Sequence, residues 1–227
     1  MENLNVEGIF SHFPVSDCLD TDCKAFTTKQ IHLFDEVVDL LKKQGIEPGI
    51  RHIQNSYGIL NYPELEYEYG RPGLLYMGVT SDDHIQIKTN PDFIPIMSMY
   101  ANVSLVKWIK PGQSVSYGRH FIATKPTKVA TMSIGYADGL PRLLSNQGFE
   151  VLVHGKRCKV IGNLCMDQCM IDVTDVEDVK EGDVVCIVGR QGDEVVTIDR
   201  ISRMAKTINN ETLTSISARV PRLKVRT

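Results

Sequence analysis

The chain has no apolar run approaching the roughly 18 residues that a transmembrane helix needs. Its first residues, Met1-Glu2-Asn3-Leu4-Asn5, have neither the basic segment nor the apolar segment of a secretory signal, so no signal peptide is expected. There is no excess of basic residues: 25 Lys and Arg stand against 28 Asp and Glu, for a net charge of −3. A nucleic-acid footprint normally requires such an excess. No internal repeat and no low-complexity segment is found. What remains is an ordinary globular composition over 227 residues, 42% hydrophobic and 23% charged. That length allows one or two domains, each large enough to bury a core.

The six cysteines, Cys18, Cys23, Cys158, Cys165, Cys169 and Cys186, follow no zinc spacing, so no metal site is expected. Cys165 and Cys169 lie in a segment that reads as a strand, where four residues span about 13 Å, too far for a disulfide. All six are therefore expected to be reduced, and the chain cytoplasmic.

The first part of the chain alternates strand and helix signals. Val6 to Phe13 reads as a short strand ending at Pro14. Asp20 and Thr21 are cap-type residues before a helical run from about Cys23 to Lys43. In that run Phe26, Ile31, Phe34, Val37, Val38 and Leu41 recur at helical spacing, and Gly45 ends it. Gly49 to Ile53 predicts a second strand, Ser56 to Leu60 a short helix, and Gly73 to Met77 a third strand. The βαβαβ order predicts parallel strands.

From about Pro95 the pattern changes to short β-rich runs broken by turn signals. Strands are predicted at Val103–Ile109, Lys128–Ile134, Glu150–Val153, Lys159–Gly162, Gln168–Val173 and Asp183–Val188, and a helix at about Thr197–Lys206. This half predicts an antiparallel β domain, with a boundary near residues 88–95, where Asn90, Pro91 and Pro95 break regular structure. The first half is too small for a complete (β/α)₈ barrel, which takes about 250 residues. It is either a small open α/β unit or the later part of a barrel.

Four clusters carry possible chemistry. His52-Ile53-Gln54-Asn55-Ser56 joins a strand end to a helix start, where Ser56 and nearby amides can meet a phosphate. Gly70-Arg71-Pro72-Gly73-Leu74 brings an arginine and two glycines to the next loop, where a ligand can approach the backbone. Ser133 to Arg142 places Tyr136 between two glycines in a turn; a tyrosine can exchange protons if positive charge lowers its pKa. Gly162 to Gln168 is a polar stretch within an apolar hairpin. Read alone, each also has a structural explanation: a cap at Asn55 or Ser56, a tight turn, a packed aromatic, a loop with Asp167 as its turn residue.

Taken together, the segments resemble the alanine racemase family. The matching pieces are Gly8-Ile9-Phe10-Ser11-His12-Phe13, His52 to Ser56, Arg71 to Gly78, Val115-Ser116-Tyr117-Gly118, Gly135 to Arg142, Gly162 to Met170 and Arg219-Val220-Pro221-Arg222, in the family's order along nearly the whole chain. The resemblance implies an α/β plus β fold: residues 1–93 as the late strands of a (β/α)₈ barrel that binds pyridoxal 5'-phosphate (PLP), and residues 94–227 as a C-terminal antiparallel β domain. It implies a head-to-tail homodimer in which Tyr136 is a catalytic acid/base for the partner subunit's active site. It implies that Arg71 contacts the pyridine nitrogen, that His52 positions Arg71, and that Ser56, Gly73 and Leu74 cradle the phosphate. Met166, with Cys165 and Asp167, matches the loop that contacts the substrate carboxylate or lines the entry from the partner chain. The implied activity is racemisation of alanine, or of serine, to supply D-amino acids for peptidoglycan.

Two departures qualify this. No lysine here stands in the family's Lys-Ala-Asn-Ala-Tyr-Gly-like context, so the covalent anchor and second base are missing from these residues. The sequence therefore reads as a C-terminal portion, not a competent racemase alone; the alternative is a non-catalytic fragment or dimerising remnant. The second departure is Ala218, where the family often has a tyrosine before Arg-Val-Pro-Arg. That change implies a weaker phosphate contact and more space for a substrate side chain such as that of serine.

Overall fold

A computed structural model describes residues 3, 5–89 and 91–225, so Asn90 and parts of the N-terminal segment read above lie outside the described residues. The chain divides into two compact units, Met1–Pro95 and Ile96–Thr227.

In the first unit, β1 (Gly8–Phe10) pairs in parallel with β2 (Ile50–His52), with Gly8 opposite Ile50 and Phe10 opposite His52. The connection is α1 (Thr21–Lys43), a crossover helix as predicted. Its end follows from Gly45, which takes φ +71° and lets two amides turn back: Gly45 N–H donates to the Lys42 carbonyl and Ile46 N–H to that of Leu41. Phe34 and Val38 of α1 pack with Phe13 and Ile53 to form the core, joined by Ile9, Ile31, Leu65 and Tyr67. The apolar spacing of α1 overstated its packed face. Phe26 and Val37 are exposed, together with Leu33 and Leu40, so the helix carries a second apolar stripe that the described residues leave to solvent.

A short helix, α2 (Ser56–Asn61), follows β2, capped by Asn55, whose Oδ1 accepts the Gly58 N–H at 2.8 Å. The predicted third strand does not form. Tyr69 and Arg71 donate to the carbonyls of Arg51 and Gln54, which starts a pairing with the β2 segment. Pro72 then has no N–H to continue it. Leu74–Met77 instead forms a single 3₁₀ turn, closed by Gly78 at φ +67°. Apolarity alone could not distinguish a buried strand from this turn, in which Leu74 is buried and Tyr76 exposed.

The second unit is antiparallel throughout. Its strands are β3 (Met99–Ile109), β4 (Ser114–Val115), β5 (Phe121–Ile122), β6 (Thr127–Met132), β7 (Glu150–Val153), β8 (Lys156–Ile161), β9 (Cys169–Asp172), β10 (Val184–Gln191) and β11 (Glu194–Val196). The main sheet runs β11-β10-β3-β6-β9-β8-β7, and β10 also pairs with β7 through Val185–Val153 and Cys186–Leu152. That extra pairing closes six strands into a barrel with β11 appended. Closure removes the sheet edges that would otherwise template aggregation. Ile109, Val115, Ala123, Val129 and Ile161 form one core cluster, with Phe121 and Met170 packed on it. The six predicted strands are all present, Glu150–Val153 with the predicted ends and the other five with shifted ends. The short β4, β5 and β11, and the helix α4 (Asn209–Ser215), were not anticipated. The helix α3 (Ile198–Met204) is capped by Thr197, whose Oγ1 accepts from Arg200 N–H at 3.4 Å.

The expectation of six reduced cysteines is corrected at one pair. Cys18 and Cys23 form a disulfide, with a Cα–Cα separation of 5.7 Å. The chain turns from a loop into the first turn of α1 between them, which brings residues five apart in sequence side by side. Cys165 lies in the loop before β9, not in a strand, and is free, as are Cys158, Cys169 and Cys186. Burial pushes the Cys158 thiol up to about 12 and that of Cys186 to about 11, so both are packing residues that form little thiolate.

Candidate functional site

The predicted residues fall into two groups, one in each unit. In the first unit, the loop after β2 and the loop at Gly70–Leu74 meet. Arg71 stands at the centre. One terminal nitrogen donates to His52 Nδ1 and, at 3.1 Å, to the His52 carbonyl. The other donates to the Ser11 carbonyl at 2.7 Å and lies 3.2 Å from His12 Nδ1. Phe10 stacks on His52 with centroids 5.4 Å apart, and the Arg71 guanidinium lies 5.4 Å from the Phe10 centroid. Phe10, Ser11 and His12 stood in a matching segment of the sequence, but nothing local marked them as holders of an arginine 60 residues away.

A guanidinium only donates, so His52 Nδ1 must accept, which puts the proton of a neutral imidazole on Nε2. Burial first, and then the charge of Arg71, lower the His52 pKa from its ordinary 6.5. His52 is therefore expected to titrate below pH 6.5 in an NMR pH series. With the folded pKa below the unfolded one, the folded chain binds fewer protons between the two values. The contribution of His52 to stability is complete above about pH 6.5 and is lost as pH falls through the folded pKa. A midpoint at or above 6.5 would contradict this hydrogen-bond assignment.

Ser56 and Gly73 are also brought together: Ser56 Oγ accepts the Gly73 N–H at 2.9 Å. A Cβ added to Gly73 would project into open space, with Ser56 Oγ, 3.8 Å away, as its nearest neighbour. The serine hydroxyl and glycine amide thus border open space that a side chain at 73 would enter. Because α2 has only six residues, its dipole adds little, and the cradle rests on these two groups. Its position is set by Asn55, which accepts from Ser16 Oγ at 2.9 Å and donates to the Phe13 carbonyl at 3.1 Å. Leu74 is buried and opens the 3₁₀ turn, so it contributes backbone to this loop.

The arrangement fits a ligand with an acceptor at one end and an anion at the other. Arg71 supplies a fixed cationic donor, and the Ser56 hydroxyl, held by the Gly73 amide, supplies a small neutral one. Among the described residues, no lysine hydrogen-bonds to any of these groups.

In the second unit, Tyr136 begins a 3₁₀ turn, Tyr136–Asp138, that docks on the loop between β8 and β9. Tyr136 N–H donates to the Cys165 carbonyl at 3.1 Å and Ala137 N–H to that of Met166 at 3.0 Å. These bonds place the half-exposed Tyr136 and exposed Met166 on adjoining backbone. Cys165 is half-buried, its Sγ 3.5 Å from Ser116 Oγ. The turn closes at Gly139, where φ is +104° and a Cβ would lie 2.4 Å from the Ser215 carbonyl oxygen, so only glycine fits.

Asp138 was read only as part of a turn. Its Oδ2 accepts the Gly135 N–H at 2.8 Å, and its Oδ1 accepts from Arg219 Nε at 2.7 Å. Burial raises its pKa, but the hydrogen bonds from Arg219 and Gly135 outweigh that, and the carboxyl is held below its ordinary range. Arg219 also reaches Asp167. An acidic residue three positions after Gly135 was a visible capping signal, but its arginine partner, 81 residues away, was not.

Comparison with known proteins finds relatives over nearly the whole chain. Residues 96–224 match the family model described as alanine racemase, C-terminal domain, and residues 1–81 match that of alanine racemase, N-terminal domain. The chain is 40% identical over 226 residues to alanine racemase 1 of Clostridium acetobutylicum, covering all of this chain and 57% of that protein. It is 38% identical over 221 residues to an amino-acid racemase of Enterococcus faecalis, covering 96% of this chain and 30% of that one. A crystal structure of alanine racemase from Bacillus anthracis with bound L-Ala-P superposes with a TM-score of 0.88 at 34% identity, over 97% of this chain and 55% of that chain. The chain thus spans little more than half the length of the alanine racemases it matches here.

Proposed function

The chain belongs to the alanine racemase family, and we propose that it is the later part of a PLP-dependent amino-acid racemase. Residues 1–93 are assigned to the late strands of a (β/α)₈ barrel and residues 94–227 to the C-terminal β domain. The parallel β1–β2 pair with its crossover helix supports the barrel assignment. So does the uncovered stripe on α1, which the remaining barrel elements would cover.

The observation that carries the reading is the donor set around Arg71. Bound PLP would draw electron density away from the α-carbon of an amino acid and so acidify its hydrogen. Arg71 would donate to the pyridine nitrogen and keep its own protons, leaving that nitrogen unprotonated. His52 would hold Arg71 in place. Ser56, Gly73 and Leu74 would receive the phosphate. Tyr136 would exchange a proton at the α-carbon in the partner subunit's site of a head-to-tail homodimer, with the loop of Cys165, Met166 and Asp167 contacting the substrate carboxylate or lining the entry to that site. Exposed Tyr100, Leu105 and Trp108 on β3 offer apolar surface for such a partner. The substrate is alanine or serine, and the product a D-amino acid for peptidoglycan precursors made in the cytoplasm. Among the described residues no helix is long and apolar enough to cross a membrane.

A borohydride trap tests the assignment of the missing base. The purified 227-residue chain, given PLP and reduced, is expected to show no single labelled lysine and no racemisation of L-alanine or L-serine. One specifically labelled lysine with turnover would mean that a lysine within these residues anchors the cofactor, and the account would fail. The absent lysine also keeps a second reading open, that of a non-catalytic fragment or dimerising remnant. It is separated from the first by whether joining these residues to the earlier part of a relative restores activity.

A further inference from the structure

We infer that Asp138 and Arg219 are positioning residues for Tyr136, forming an ionic clamp that locks the tyrosine turn onto the loop that carries Met166. The inference rests on the racemase reading for what Tyr136 does, but not for how Tyr136 is held.

The turn has two attachments to the 165–167 loop. One is backbone: the amides of Tyr136 and Ala137 donate to the carbonyls of Cys165 and Met166, at 3.1 and 3.0 Å. The other is ionic and runs through a third segment. Asp138, with a side chain only 12% exposed, closes the turn from inside by accepting the Gly135 amide, and its second oxygen accepts from Arg219 Nε. The same guanidinium reaches Asp167 on the opposing loop. One arginine therefore joins a carboxylate from each side of the Tyr136–Met166 junction. Two carboxylates would repel each other across that junction without the cation between them.

The C-terminal segment that supplies Arg219 is itself fastened to the turn. Ser217 N–H donates to the Asp138 carbonyl at 3.0 Å, and Ser215 Oγ donates to the Gly139 carbonyl at 3.1 Å. Arg222 braces the segment internally by donating to the carbonyls of Ile216, Ser217 and Val220. Arg219 is thus presented from a braced backbone, as a bridge of this kind requires. A planar guanidinium can serve two carboxylates in fixed directions, whereas an ammonium on a flexible stem would hold one well and the other poorly.

The test uses the full 227-residue chain labelled with ring-¹³C tyrosine, the Tyr136 signal being assigned by its loss in Tyr136→Phe. In Arg219→Ala, the amides of Tyr136 and Ala137 are expected to exchange with solvent at least about tenfold faster, and the Tyr136 ring signal to shift. The strand amides of β6 and the melting temperature are expected to stay near wild type. Arg219→Lys, which keeps the charge but not the fork, is expected to fall between the two, and it decides the matter if the alanine variant does not fold. Unchanged exchange and an unmoved ring signal would overturn the clamp. So would acceleration spread evenly over the barrel together with a lower melting temperature, since that marks a general contribution to stability. No activity enters these readouts. Their failure removes the clamp and leaves the racemase reading intact, while failure of the joined protein to racemise alanine removes that reading and leaves the clamp.

Discussion

Joined in one chain to the preceding portion of the Clostridium acetobutylicum relative, residues 1–227 are expected to racemise alanine, and Tyr136→Phe to lower kcat/KM by about 10²–10⁴-fold, the usual worth of a positioned acid or base. Racemisation requires the α-carbon to lose its proton on one face and gain one on the other. The substitution removes a hydroxyl and keeps the ring. The backbone bonds that seat residue 136 are amide to carbonyl and do not depend on the phenol. Folding should therefore be unaffected, which a matching melting curve would establish. Exchange of the α-hydrogen with solvent should survive for one enantiomer, because the face served by the other base is untouched. A loss of less than about threefold would mean that the phenol is not one of the two proton-transfer groups.

Replacing Gly135 with alanine tests the docking itself, and a large loss of stability is expected. A Cβ there would lie 2.3 Å from the Cys165 carbonyl oxygen and 2.4 Å from that of Met166. Both are backbone atoms, and they are the acceptors of the Tyr136 and Ala137 amides, so they cannot retreat without breaking the contact. The backbone at Gly135 is extended, at φ −151°, so the cost is steric and not conformational. Overpacking of this kind costs about 2–3 kcal/mol, a fall of roughly 5–10 °C in the melting temperature of the second unit. Gly73→Ala is the matched control: its Cβ meets nothing closer than 3.8 Å, and melting should hardly change. Equal losses from the two substitutions would show that the Cys165–Met166 contact has no special weight.

Both substitutions probe glycine and tyrosine positions that stood out in the sequence, because turn chemistry is local. The same is true of much of the fold. Helical spacing and a terminal glycine located α1 and its end at Gly45, and alternating β-branched runs between turn signals located the six longer strands of the second unit. The clusters at His52, Arg71, Tyr136 and Met166 were visible for the same reason: each is a short run of unusual residues at the end of an element.

What the sequence could not decide was set by groups far apart along the chain. The Leu74–Met77 run has the composition of a strand, but whether a strand forms depends on a continuing ladder, and Pro72 interrupts it. Phe26 and Val37 share a helical period with Phe34 and Val38, but which of them is buried depends on what packs against α1. Closure of the barrel rests on a pairing of Val185 with Val153 and Cys186 with Leu152, which no local pattern announces. In the first unit Arg71 is held by the Ser11 carbonyl, and in the second Arg219 is held by Asp138, across 60 and 81 residues. Propensity and periodicity act over a few residues and so were legible in the sequence. Ion pairs and sheet closure are formed by groups that become neighbours only on folding, and they became visible only in the tertiary structure.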